Sequence, residues 1–187
     1  MSVKRIAYNY ILVTLFFLFF SANCAFSSII IDNNDTSFVS STGIWSTSTA
    51  IVGYEGSNYL HDNRLGTQTF QFDLGSALQV PGNFEVELLW TDHPNRATNV
   101  SVSLFDGIDI FNFIVNQRDV DPGPASQLLG TYFLEADSYL SISAANADGY
   151  VIVDAVRLSP VPEPSTILLL GGGLLGLGWY GRKRKKA

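Results

Sequence analysis

Apolar and polar residues alternate one by one in several stretches of the chain. Thr69-Phe70-Gln71-Phe72-Asp73-Leu74, Phe84-Glu85-Val86-Glu87-Leu88, Val100-Ser101-Val102-Ser103-Leu104 and Leu140-Ser141-Ile142-Ser143 all follow this rule. A period of two sends every apolar side chain to one face, as in a half-buried strand. Residues 29–31, 111–115, 128–133 and 150–158 add β-branched or aromatic runs. Turn signals separate them: Gly53, Gly56, Pro81-Gly82, Asp106-Gly107, Asp121-Pro122-Gly123-Pro124 and Asp148-Gly149. No segment here keeps a helical period for ten residues. Short strands punctuated at this rate predict an all-β sandwich or barrel. Asp106-Gly107, between two apolar runs, is the strongest hairpin signal. The Ser/Thr/Asn-rich residues 35–49 fit either a loop or an exposed sheet surface.

Both ends break this pattern. Lys4 and Arg5 precede a ten-residue run, 11–20, apolar but for Thr14, and then Ser21, Ala22 and Ala25. A basic start, a short apolar run and a small-residue exit describe a secretory signal peptide, with the cut placed after Ala25. A run of ten residues falls well short of the ~20 that span a bilayer. The single cysteine, Cys24, would leave with that peptide, so the exported domain holds together without disulfides. At the other end, Pro162-Glu163-Pro164 leads into the apolar residues 167–180, Gly181, and then Arg182, Lys183, Arg184, Lys185 and Lys186. An apolar stretch closed by a basic cluster reads as a transmembrane stop-transfer signal, with the basic end in the cytoplasm. The chain therefore divides into a signal peptide (1–25), one domain (26–160) and a tail (161–187). The tail comprises a Pro-rich junction (161–166), a membrane segment (167–181) and a basic end (182–187).

That order resembles the PEP-CTERM sorting signal. The resemblance implies export through the Sec translocon, signal peptidase cleavage and recognition by exosortase, a membrane protease of Gram-negative bacteria that make extracellular polysaccharide. Processing would fall near Pro162, Glu163 and Pro164 in the inner membrane. The product would then reach the cell surface, the outer membrane or the extracellular matrix. Two prolines keep the junction extended and accessible to a protease.

Charge narrows the role of the domain. The formal net charge is −6, but seven of the eleven basic residues lie in the two ends. Four arginines against sixteen acids leave residues 26–160 at −12. Such a surface excludes nucleic acid as a partner. No Gly-x-Ser-x-Gly elbow is present, and two histidines are too few for a His-rich catalytic metal site. The reading is of a protein that is not an enzyme.

A second resemblance rests on Gly43-Ile44-Trp45-Ser46, Gly53-Tyr54-Glu55-Gly56, Trp90-Thr91-Asp92-His93-Pro94-Asn95-Arg96-Ala97, Leu128-Leu129-Gly130 and Val153-Asp154-Ala155-Val156-Arg157. In this order they resemble the golvesin C-terminal, or xanthan lyase carbohydrate-binding-like, domain. Ser126-Gln127 stand where that family carries a Trp before Leu-Leu-Gly. The resemblance implies a jelly-roll β-sandwich of the galactose-binding type. Sugars are held by aromatic faces together with a few placed polar groups. Two segments supply both: Tyr54, Tyr59, His61 and Asp62 in one, and Asp92, His93, Asn95 and Arg96 in the other. We expect them to meet on one rim and bind extracellular polysaccharide. The alternative is a structural or adhesive protein in which Trp45, Tyr59 and Trp90 are core aromatics. Arg157 reads as an internal brace near Asp154. No cofactor is required, and a structural calcium on Asp119 and Asp121, or on Asp106 and Asp109, is the alternative.

Overall fold

The computed structural model describes residues 27–162 and 172–173. The residues read as a signal peptide, and nearly all of those read as the tail, lie outside the described residues. The twelve strands are β1 (Ile29–Asp32), β2 (Val39–Thr42), β3 (Ser46–Ser48), β4 (Tyr59–His61), β5 (Thr69–Asp73), β6 (Gly82–Asp92), β7 (Val100–Phe105), β8 (Ile110–Val115), β9 (Gly123–Leu134), β10 (Tyr139–Ser143), β11 (Ile152–Val153) and β12 (Ala155–Pro160). One short helix, α1 (Leu74–Ala77), follows β5, with Asp73 capping it by accepting from the Ser76 N–H at 3.0 Å.

Two sheets face each other, in the orders β1-β12-β6-β9 and β2-β5-β10-β7-β8. Their alternating apolar positions fill the space between. Phe70, Phe72, Val86, Leu88, Val102, Leu104, Leu140, Ile142 and Leu158 are all buried. A third, small sheet, β11-β4-β3, closes one end. The all-β sandwich is therefore the fold of this chain.

Three local features depart from the alternation pattern. The run 150–158 is not one strand: it breaks at Asp154, with β11 joining the small sheet and β12 the large one. The Pro122-Gly123-Pro124 segment is not a turn: β9 begins at Gly123. The Leu-Leu-Gly motif is a β-bulge, where Val86 faces Gly130 and Glu87 faces Leu128, leaving Leu129 unpaired and turned into the core. Gly130 there has φ +145, and a Cβ would lie 2.8 Å from the Tyr132 hydroxyl. Only glycine fits. The Asp106-Gly107 hairpin is present, joining β7 to β8. The Ser/Thr-rich segment contains β2 and β3, an edge strand in each of two sheets.

Candidate functional site

The site is built where the small sheet meets the end of β6. On β4, Tyr59 and His61 are two residues apart and so point to the same side. β6 ends at Asp92, and the following turn carries His93, Asn95 and Arg96. This turn is tied to the Gly149-Tyr150 segment by backbone pairing: Tyr150 N–H donates to Asn95 O (3.0 Å) and Ala97 N–H to Tyr150 O (2.9 Å). Gly149 permits the approach, because a Cβ there would collide with the Arg96 carbonyl. The result is an open cleft of about 280 Å³ lined by Ser48, Ala50, Ile51, Tyr59, His61, His93, Asn95, Arg96 and Tyr150.

Arg96 forms its inner wall and is 5% exposed. Its Nε donates to Thr91 O (3.1 Å), Nη1 to Asn95 Oδ1 (3.0 Å) and Nη2 to the Tyr59 hydroxyl (3.2 Å). The guanidinium also lies 5.3 Å from the Tyr59 ring centre. Ser48 Oγ donates to the same hydroxyl at 3.0 Å. All these partners are neutral. The ion pairs among the described residues are Arg118–Asp148, Arg157–Glu55 and Arg157–Glu87. A buried cation therefore stands without a carboxylate partner in a domain rich in acids. Its field is felt at His61, whose pKa is lowered first by burial and then by Arg96, against an opposing effect of Asp62. Tyr150 forms the outer wall, edge-on to His61 at 5.6 Å, with Arg64 5.8 Å from its ring centre.

The two sequence segments do meet, but not with every residue named from sequence. Tyr59, His61, His93, Asn95 and Arg96 line the cleft, whereas Tyr54, Asp62 and Asp92 do not. Tyr54 packs against Tyr59 at 6.0 Å. Asp62 is fully buried and accepts from the Val151 N–H at 3.0 Å, tying β4 to the segment before β11. Asp92 accepts from the Gly123 N–H at 2.7 Å and pins the start of β9. Tyr59 is itself 2% exposed, so it offers a hydroxyl to Arg96 rather than a stacking face. Trp90 is buried in the core, and Trp45 packs edge-on against Phe70 at 5.8 Å. Tyr150 is the exposed-side aromatic that sequence reading passed over. Its only sequence signal is its place after the Asp148-Gly149 turn. Arg157 pairs with Glu87 (2.9 Å) and Glu55 (3.3 Å), not with Asp154.

Asp119 and Asp121 stand on an exposed loop, where the Asp119 carboxylate accepts from the Val120 and Asp121 N–H groups. Among the described residues no group of three His, Cys, Asp or Glu is arranged to hold a metal ion. Pro162 closes the described domain. Glu163, Pro164, Arg182, Lys183, Arg184, Lys185 and Lys186 lie outside the described residues.

The class the fold defines is an all-β sandwich of the jelly-roll type. Two solved structures share the fold at low identity. One is a Podospora anserina β-(1,4)-mannanase with a family 35 carbohydrate-binding module (TM-score 0.55, 19% identity, 73% of this chain and 28% of that one). The other is a family 35 module from Clostridium thermocellum (TM-score 0.50, 14% identity, 73% of this chain and 100% of that one). The chain belongs to the golvesin C-terminal domain family, which it matches over residues 29–160. Residues 160–185 match the PEP-CTERM protein-sorting motif, the mark of a chain exported to the cell surface or extracellular space. A xanthan lyase from Bacillus sp. (strain GL1) is 34% identical over 139 residues, 72% of this chain. The solved Paenibacillus xanthan lyase superimposes with a TM-score of 0.66 at 32% identity over 73% of this chain. The chain spans only 15% and 13% of these two lyases, respectively.

Proposed function

We propose that the domain is a non-catalytic carbohydrate-binding module whose cleft takes an acidic sugar unit of an extracellular polysaccharide. The observation that carries this reading is Arg96, a buried cation with only neutral partners, set into a cleft with polar and aromatic walls. A carboxylate brought there by a sugar supplies the missing countercharge, and charge-assisted hydrogen bonds are the strong ones. Asn95, His93 and Ser48 are placed to meet hydroxyls, and Tyr150 offers an aromatic wall to the apolar side of a ring. The fold relatives named for carbohydrate-binding modules support the class. The sorting motif supports delivery: an exosortase-type protease acts at Pro162-Glu163-Pro164 after the Sec translocon and signal peptidase have done their work. The domain then associates with polysaccharide outside the cell.

Affinity electrophoresis of the residue 26–160 domain tests this reading. Gels containing a uronate-bearing polysaccharide should retard it more than gels containing a neutral glucan. Tyr150→Ala and Arg96→Gln should each weaken binding by roughly 10-fold or more, the scale of losing a charged hydrogen bond or an aromatic contact. Circular dichroism checks that each variant is folded. Equal mobility in every gel would leave the alternative, a structural or adhesive protein. One observation favours that second reading: Tyr59 and Trp90 are core residues and Trp45 is half-buried, so none of the three is an exposed stacking platform.

A further inference from the structure

The end of the sandwich away from the cleft carries a second concavity, of about 570 Å³. Ile29, Val80, Pro81, Phe84, Pro160 and Val161 supply its apolar wall. None of its thirteen lining residues is charged, although the domain around it carries twenty charges. Val80 is 69% exposed and Val161 36%, and Phe133, paired with Asn83 at the same end, is 50% exposed. Exposed apolar groups gathered without charge mark a contact surface.

Its position says what it contacts. β1 and β12 are antiparallel, with Ile29 opposite Leu158, so the chain enters and leaves the domain at this end. Only four residues separate Pro162 from Ile167, where the apolar stretch of the tail begins. That is a reach of at most about 18 Å, even fully extended. We propose that this end of the domain rests on the lipid bilayer while the tail is in place. The proposal rests on the reading of residues 167–181 as membrane-inserted. A tether this short gives a millimolar-scale effective concentration, so a weak apolar contact is well populated. The acids Asp106, Asp109, Glu135 and Asp137 stand on the neighbouring hairpin and loop of this end. They tilt the contact toward the Val80–Val161 side and favour a zwitterionic lipid surface.

The test uses the tail-bearing chain, with Cys24→Ser, in phosphatidylcholine vesicles. An environment-sensitive fluorophore is attached at Val80→Cys in one sample and at Ala50→Cys, on the cleft, in another. A nitroxide-labelled lipid should quench the Val80 probe by more than about half and leave the Ala50 probe nearly unchanged, as expected for side chains at the headgroup boundary and far from it. With the probe at Phe133→Cys, Val80→Asp and Val161→Asp together should abolish quenching, and both positions are exposed enough to leave the fold intact. Equal, weak quenching at Val80 and Ala50 with a carbonate-resistant tail overturns the proposal and spares the tail reading. A tail extracted by carbonate overturns the tail reading and the proposal with it. A Val80 probe that is shielded but not lipid-quenched, with shielding that grows with protein density, assigns the surface to a second copy and also overturns it.

Discussion

At Asp154 the chain trades stability for a chain crossing. This residue separates β11 from β12, is 1% exposed, and accepts the Glu55 N–H at 3.2 Å. Burial first, and then the charges of Asp32 and Glu55, push its pKa to about 7, with the Glu55 hydrogen bond opposing. The folded state then holds a proton that the unfolded chain releases near pH 4. Stability from this group is full below about pH 4 and is lost as pH rises through about 7. Asp154→Asn keeps an acceptor for Glu55 and never ionises. Thermal melts should show the variant close to wild type at pH 4 and more stable at pH 8, by at most on the order of 4 kcal/mol. A wild-type melting temperature that does not fall relative to the variant between those values would refute the assignment. Arg96 is the opposite case. Its burial is offset by neutral acceptors and by the Tyr59 ring, and the remaining positive field is left to act on whatever enters the cleft.

Among the elements, β9 shows how one residue re-aims a strand. Without the bulge, the alternation of residues 123–128 would run out of phase with that of 130–134, and one half would turn its apolar face to solvent. The extra Leu129 restores phase, and Gly130 makes the bend at φ +145. Gly130→Ala should destabilise the domain by roughly 2–3 kcal/mol, from the strained backbone and the clash with Tyr132. Urea titration would show this as a lower midpoint at unchanged slope. A drop below about 0.5 kcal/mol would mean the bulge relaxes freely. The same strand legibility has limits elsewhere. The alternating strands β5, β6, β7 and β10 could be read directly, because their burial is set by period alone. β3, β4 and β11 could not. They have three, three and two residues, too few for any periodicity, and they exist because the small sheet caps the sandwich. The cleft is built on those very elements.

For the whole molecule, the long axis separates two roles. β6 runs from Gly82 at the apolar end to Asp92 beside the cleft, ten steps at ~3.3 Å, or roughly 33 Å. The cleft and the exit of the tail are therefore on opposite ends. A chain held in a membrane by its tail presents the cleft outward. The affinity of a soluble acidic oligosaccharide should accordingly be the same, within about two-fold, for the vesicle-anchored chain and for the free domain. Isothermal titration on both forms measures this. A ten-fold loss on anchoring would show that the membrane occludes the cleft.

The amino-acid sequence alone determined the all-β sandwich and the sorted tail. Alternation with a period of two, glycine- and proline-marked turns, and a Pro-Glu-Pro segment before an apolar stretch and a basic cluster are all local patterns, and local patterns survive in one dimension. Sequence also named most of the cleft, because His61, His93, Asn95 and Arg96 are polar residues crowded around strand ends. Only the tertiary structure decided which of the candidates face the cleft. Asp62 and Asp92 look identical to site residues in sequence, yet each accepts from a backbone N–H almost ninety or about thirty positions away, at Val151 and Gly123, and neither lines the cleft. Tyr59 is buried and Tyr150, not a candidate from sequence, walls the cleft for the same reason: burial is fixed by what packs across the fold. The missing carboxylate beside Arg96, the feature on which the proposed function turns, is a relation between distant residues, and no linear pattern records it.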